Sequence, residues 1–173
     1  MTDANLRMAT FAEVYRAHVV RVYAYCLSQV RNPADAEEIA AEVFASAFAA
    51  YDRVRPNSDG VQAWLIRIAH NAVIDHLRRT RRHSVVGLFS AGGFHELASD
   101  VDVERETLAR EELRFVVARM RRLKQRDRLM VGLRVAADLS YAEIGALLDI
   151  SEHAATMGVH RALQRLRRLC GEK

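Results

Sequence analysis

The chain has 173 residues, of which 50% are hydrophobic, with only two prolines and eight glycines. This composition excludes a disordered or collagen-like chain and favours helices, because helix-breaking residues are rare. The formal net charge is +4, and residues 121–173 hold eleven Lys or Arg against six Asp or Glu. A basic C-terminal third indicates either a polyanionic partner or an ordinary solvated face.

Residue types that carry catalysis or bind metals do not occur in productive patterns. The seven histidines and two cysteines show no metal-ligand spacing, and the chain lacks a glycine-rich phosphate loop. We therefore expect no enzyme, no metal and no cofactor. Cys26 and Cys170 fall at apolar helical positions and are predicted to be reduced thiols of a cytoplasmic protein. No apolar run approaches the roughly 18 residues of a membrane span, so no membrane insertion is expected.

Apolar residues at steps of three and four predict three helices in the first half of the chain. The first covers about residues 11–30 and breaks at Asn32-Pro33, and the second begins near Ala34. The segment RPNSDG, residues 55–60, has the composition of a loop. It leads into the third helix, which contains WLIRIAHNAVIDHLRR, residues 64–79.

The periodic pattern stops after residue 82 and resumes in the last third of the chain. A helix is predicted around residues 126–136, and SYAE at 140–143 has the form of a capping box at a helix start. A tight turn at 149–151 precedes the last helix. We predict an all-α fold of two small helical domains, residues 1–82 and 109–173, joined by a flexible linker at 83–108.

The last two predicted helices form a helix-turn-helix, whose second helix enters the DNA major groove in proteins of this type. The outward side chains of that helix are candidate DNA contacts: His153, Thr156, Met157, His160, Arg161, Gln164 and Arg165. The alternative is a helical hairpin of an ordinary bundle. The basic charge of this region favours DNA binding.

Two further helix faces carry polar residues in a regular pattern. The third helix places its apolar residues on one arc, and the only tryptophan, Trp64, falls on the opposite arc with the polar residues Arg67, His70, Asn71, Asp75 and Arg78. A helix-start tryptophan folded back onto the core is the alternative for Trp64. The outer face of the second helix carries the acidic residues Asp35, Glu38 and Glu42, which by themselves indicate only a solvated face.

Three segments together resemble a known family. NPADAEEIAAEVFASAF, WLIRIAHNAVIDHLRR and LSYAEIGALLDISEHAATMGVHRALQRLR resemble, in this order, the polymerase-binding helix, the minus-ten helix and the minus-thirty-five helix-turn-helix of extracytoplasmic-function (ECF) sigma factors of bacterial RNA polymerase. The resemblance implies sigma region 2 and region 4 domains that direct promoter-specific transcription initiation. It also implies three partners: core RNA polymerase, promoter DNA and an anti-sigma factor.

The resemblance implies a role for each candidate residue. The residues that would bind core polymerase are Asp35, Glu38 and Glu42. The residues that would recognise and melt the minus-ten element are Asn57, Ser58, Asp59, Trp64, Arg67, His70, Asn71, Asp75 and Arg78. The outward residues of the last helix would recognise the minus-thirty-five element. Promoter melting unstacks a base, and aromatic rings and polar side chains offset that loss by stacking and hydrogen bonding.

The chain departs from the family pattern at several positions. Leu65 stands where primary sigma factors have a second aromatic residue, which implies weaker melting. In the last helix the family usually has a small residue followed by a basic, serine, basic run, whereas this chain has Ala155, Thr156, Met157 and Gly158. Two expected cations, at 156 and 158, are missing, so we expect weak or unusual minus-thirty-five recognition. The predicted linker contains the acidic residues Asp100, Asp102, Glu104 and Glu106. They either mimic the charge of nucleic acid or keep the linker soluble.

Two other functions remain open at this point. A stand-alone helix-turn-helix regulator would explain residues 109–173 but would leave Trp64 and the acidic face without a role. A degenerate sigma-like protein, which binds polymerase without selecting promoters, would explain Met157 and Gly158.

Overall fold

The computed structural model describes residues 10–30, 32–57, 60–83 and 118–171. These residues are helical and contain no strand, which confirms the all-α prediction. The helices are α1 (Phe11–Val30), α2 (Pro33–Val54), α3 (Val61–His83), α4 (Gln125–Val131), a π-helical turn (Gly132–Ala136), α5 (Tyr141–Leu148) and α6 (Glu152–Cys170). Apart from His83, which ends α3, the predicted linker at 83–108 lies outside the described residues.

Helices α1, α2 and α3 pack pairwise around one core and are called the N-terminal lobe. Asn32 is the N-cap of α2, because its Oδ1 accepts a hydrogen bond from the Ala34 N–H at 3.1 Å. Pro33 follows as the first helical residue, where its missing N–H is not needed. The predicted apolar arc of α3 is the buried one. Of the predicted members, Leu65, Ala69 and Val73 are buried; Ile66, which the prediction left out, is fully buried as well.

Helices α4, α5 and α6 form the C-terminal lobe. The predicted capping box starts α5, because Ser140 Oγ accepts from the Glu143 N–H at 3.2 Å and the Glu143 carboxylate accepts from the Ser140 N–H at 2.7 Å. The turn between α5 and α6 then lies close against α5. A Cβ at Gly145 would stand 2.8 Å from the Ile150 carbonyl oxygen, so only glycine fits there.

The helix predicted around 126–136 differs from expectation, because it winds as a π-helix from Gly132 onwards. The backbone at Gly132 lies against α1, and a Cβ on this residue would stand 2.6 Å from Ser28 Oγ. Gln29, itself buried, donates from its side-chain amide to the Arg128 carbonyl at 3.3 Å. The contact with α1 is a tertiary effect that helical periodicity cannot reveal.

The two lobes contact each other through polar groups as well. The Gln62 side-chain amide on α3 donates to the carbonyl oxygens of Ala137, at 2.8 Å, and of Asp138, at 3.1 Å. Arg21 on α1 joins this contact, since its guanidinium lies 3.4 Å from the Asp138 carboxylate and donates to Gln62 Oε1 at 2.8 Å. The carbonyl end of the π-helical turn is thereby capped by the N-terminal lobe.

Candidate polymerase and nucleic-acid interfaces

The outer face of α3 presents the predicted polar residues to solvent. Arg67, Asn71, Asp75 and Arg78 are all exposed and follow each other at steps of three and four residues. Arg78 lies 3.7 Å from the Asp75 carboxylate, a surface pair that contributes little to stability. Two guanidinium groups and an amide therefore stand in one row, suited to phosphate and base contacts.

Trp64 lies on the same side of α3 but is only half exposed. Its indole centroid is 6.3 Å from the Tyr51 ring, at an interplanar angle of 43°. It also packs against the edge of the core without being sealed inside it. Trp64 is therefore neither fully outward nor folded back into the core. Part of its indole packs near Tyr51 of α2, and part remains accessible.

His70 lies at the border between the outer face of α3 and the core. Its Nδ1 is 2.9 Å from the hydroxyl oxygen of Tyr25, a residue of α1 with 0% exposure. Burial lowers the pKa of His70 below its ordinary value, so the imidazole is neutral near pH 7. Helical periodicity placed His70 among the outward residues and gave no sign of this partner.

The loop before α3 is described at Asn57 and Gly60, whereas Ser58 and Asp59 lie outside the described residues. Asn57 is exposed, and its Oδ1 accepts a hydrogen bond from the Gly60 N–H at 2.9 Å. The Val61 N–H bonds to the Asn57 carbonyl at 3.0 Å. The Asn57 side-chain oxygen therefore supports the start of α3, and its NH₂ group has no hydrogen-bond partner among the described residues.

The acidic face of α2 divides into two parts. Glu38 and Glu42 are exposed and form no ion pair with a described residue. Asp35 is half buried and lies 3.3 Å from Nε2 of His76, on α3. The outer part of this face is free to bind a cationic partner, while Asp35 is partly occupied within the lobe.

The predicted DNA-facing residues of α6 are mostly on the surface. His153, Met157, His160, Arg161, Gln164 and Arg165 are exposed. Thr156 is half buried, and its hydroxyl donates to the Glu152 carbonyl at 2.9 Å, which turns it back onto its own helix.

Arg165 and Gly158 of α6 each contact α4. The Arg165 guanidinium donates to both carboxylate oxygens of the buried Asp127, at 2.6 and 2.7 Å. At Gly158 a Cβ would stand 3.1 Å from Met130 Cε, so the missing side chain allows α4 to approach α6. The sequence identified Gly158 only as a departure from the family pattern.

A polar cavity of about 210 Å³ opens between α4 and α6. Its lining includes Arg161 and Arg165 from α6 and Arg126 from α4. Sequence reasoning missed Arg126, because only the tertiary contact between α4 and α6 brings it beside the predicted recognition helix. Within the described ranges, no group of three His, Cys, Asp or Glu is placed to hold a metal ion. No described helix is long and apolar enough to cross a membrane.

Comparison with known proteins identifies both lobes. The model of sigma-70 region 2 matches residues 14–83, and that of sigma-70 region 4 matches residues 119–168. The RNA polymerase sigma factor CarQ of Myxococcus xanthus is 30% identical over 162 residues, which cover 94% of this chain and 90% of CarQ. The ECF RNA polymerase sigma factor ShbA of Streptomyces griseus is 30% identical over 151 residues, or 84% of this chain and 79% of ShbA. The chain belongs to the ECF sigma factors.

Solved structures give the same fold for this sigma factor. CnrH in complex with the cytosolic domain of CnrY matches with a TM-score of 0.64 and 23% identity, covering 93% of this chain and 87% of CnrH. The sigma factor RpoE of Bartonella quintana, in complex with the anti-sigma factor NepR, matches with a TM-score of 0.68 and 19% identity, covering 93% and 96%. Neither the stand-alone regulator nor the degenerate protein receives support. The chain is an alternative sigma factor that binds core RNA polymerase and directs initiation at specific promoters.

Proposed function

We propose that this sigma factor uses α2 to bind core polymerase and α3 to open the promoter. The observation that supports this most directly is that acidic and basic residues lie on separate helices around one small core. Exposed Glu38 and Glu42 lie on α2, whereas exposed Arg67, Asn71 and Arg78 lie on α3. An acidic surface cannot bind DNA favourably, and a row of arginines and an amide can. Protein and DNA can then be bound at the same time.

In this proposal Trp64 and Asn71 act on unpaired DNA. The exposed part of the Trp64 indole stacks on a base at the upstream edge of the melted region, which offsets the loss of base stacking. Asn71 can make paired hydrogen bonds to the edge of an exposed base. Arg67 and Arg78 bind backbone phosphates and set the register of the strand.

The C-terminal lobe binds the upstream promoter element through α6, with altered recognition at its start. Neither Thr156 nor Gly158 supplies a cation: the Thr156 hydroxyl bonds to its own helix, and Gly158 lies against Met130 of α4. Arg161 and Arg126, beside the cavity between α4 and α6, retain attraction for phosphates. We therefore expect weak dependence on the minus-thirty-five sequence and stronger dependence on backbone charge.

We further propose a cytoplasmic location and regulation by an anti-sigma factor. CnrH and RpoE of Bartonella quintana were each solved with a partner bound, CnrY in one case and the anti-sigma factor NepR in the other. A partner of that kind would be expected to cover the acidic face of α2, because this face is exposed in the free chain.

Reconstitution with core polymerase tests the proposal. The full chain is mixed with host core enzyme and a supercoiled library of host genomic fragments, and transcript starts are mapped. We expect a defined set of starts that share upstream sequence, that is lost with Asn71→Ala, and that is retained with the exposed control Ala17→Ser on α1. Transcripts no different from those of core enzyme alone would contradict the proposal.

A further inference from the structure

The hydrogen bond between Tyr25 and His70 connects the buried core to the DNA-facing helix. The Tyr25 side chain is fully buried in α1, while His70 is half buried at the border of the α3 surface. The Tyr25 hydroxyl oxygen and His70 Nδ1 are 2.9 Å apart. The placement of Trp64, Asn71 and the arginines does not require this bond.

The direction of this hydrogen bond follows from the burial of Tyr25. In the described part of the chain, the Tyr25 hydroxyl has no second hydrogen-bond partner. If Nδ1–H donated to the tyrosine oxygen, the Tyr25 proton would be buried without an acceptor, which is strongly disfavoured. The Tyr25 O–H therefore donates, and Nδ1 of His70 accepts.

The protonation of both groups then determines the tautomer of the imidazole. Burial raises the pKa of Tyr25 far above its ordinary range and lowers that of His70, so both side chains are neutral near pH 7. A neutral imidazole carries a single N–H, on one nitrogen or the other. Because Nδ1 is the acceptor, the proton resides on Nε2.

We infer that Tyr25 is a positioning residue that holds His70 as the Nε2–H tautomer, so that His70 offers one donor and no acceptor to promoter DNA. This inference rests on the proposed function of α3. His70 directly precedes the exposed Asn71 and follows Arg67 by three residues, so its outer edge borders their row. The matching group on DNA is an acceptor atom, on a base edge or on a phosphate, and a base edge that presents only an amino group is rejected.

The tautomer is measured on the full chain without polymerase. Long-range proton–nitrogen NMR spectra of the ¹⁵N-histidine-labelled protein distinguish the two tautomers, and His70→Gln identifies the His70 signals by their loss. We expect the Nε2–H form in the native chain and a mixture in Tyr25→Phe, which keeps the ring in the core. A native chain in the Nδ1–H form would overturn the inference.

A double-mutant cycle in the holoenzyme measures the consequence for promoter opening. Tyr25→Phe is expected to slow open-complex formation about fivefold, the usual worth of one hydrogen bond. The His70→Gln variant has an N–H donor near the position of Nε2, so Tyr25→Phe should have little further effect in that background. An equal loss in both backgrounds would show that Tyr25 acts only through packing, and would overturn the inference.

Two further measurements identify the DNA atom that accepts from His70 and distinguish failure of this inference from failure of the proposed function. His70→Ala should slow open-complex formation on normal DNA. This slowing should be absent on one modified template, which carries either a single 7-deazapurine base or a single methylphosphonate at the contacted position. Disappearance on no template would contradict a His70 contact with DNA. Failure of the native holoenzyme to initiate at any promoter would instead contradict the proposed function of α3.

Discussion

Nε2 of His76 lies 3.3 Å from the Asp35 carboxylate and thereby joins α3 to the first turn of α2. Asp35 is therefore partly occupied, while Glu38 and Glu42 remain exposed. We predict that Glu38→Lys or Glu42→Lys weakens binding to core polymerase about tenfold or more, because like charges at an interface repel. Asp35→Asn should have the smaller effect. Affinity is measured by titration of labelled protein with core enzyme.

Asp52→Lys is the matched control for these variants, since Asp52 is also exposed on α2 but lies near its C-terminal end. It makes the same change in net charge. Equal weakening by Asp52→Lys would show a general charge effect and would contradict a defined acidic contact surface.

Trp64 is predicted to act at the melting step. Trp64→Ala should reduce open-complex formation by roughly 5-fold to 150-fold, since stacking of one base on an aromatic ring is worth about 1 to 3 kcal/mol. Trp64→Phe keeps a smaller ring and should lose less. A template with an unpaired minus-ten region should restore most of the activity of Trp64→Ala. No recovery on that template would mean that Trp64 acts through folding or polymerase binding.

Positions 156 and 158 of α6 should respond differently to the same substitution. Gly158→Arg is expected to destabilise the protein by about 1 to 3 kcal/mol, because a Cβ there would stand 3.1 Å from Met130 Cε. Thr156→Arg should leave the melting temperature nearly unchanged and steepen the salt dependence of DNA binding by about one unit of log-log slope. The two variants have the same charge, so equal melting temperatures would contradict the packing role of Gly158.

The stability of the protein should decrease at mildly acidic pH. Burial lowers the pKa of His70, and burial followed by the nearby Arg21 lowers that of His18, both from 6.5. Below that pH the unfolded chain binds protons that the folded chain does not, so the free energy of unfolding falls as pH falls. His70→Gln should show a smaller decrease between about pH 7 and 5 in urea titrations. An identical pH dependence would exclude a contribution from His70.

The contact between the two lobes should depend on Gly132. Gly132→Ala places a methyl group 2.6 Å from Ser28 Oγ and in contact with the Gln29 amide, and both side chains are buried, so they must be displaced and the packing of α1 against the π-helical turn should loosen. We expect a lower melting temperature and a larger radius of gyration in X-ray scattering. Ala146→Ser is the control, because Ala146 is exposed on α5. An unchanged radius for Gly132→Ala would contradict the observed packing.

Local patterns predicted much of the fold correctly. The break at Asn32-Pro33, the capping box at Ser140 and Glu143, and the apolar arc of α3 depend on residues within one helical turn of each other, so the sequence reveals them directly. The exposed faces of α2 and α3 follow from the same periodicity. The family resemblance added the order of the functional segments.

Contacts between distant residues lay beyond such patterns. Tyr25 and His70 are 45 positions apart, and Asp127 and Arg165 are 38 positions apart. Helical periodicity states which side of a helix a residue occupies, but not which residue of another helix meets it there. For the same reason the close packing of other helices against Gly132 and Gly158 could not be foreseen.

By itself the sequence determined the all-helical architecture, the helix ends marked by capping residues and the charge of each surface, because these depend on spacing along the chain. Only the tertiary structure decided the hydrogen-bond partner of His70, the partial occupation of Asp35 and the use of Arg165 inside its own lobe. Each of these is set by packing distances of a few ångströms between helices, and the amino-acid order within one helix does not specify such distances.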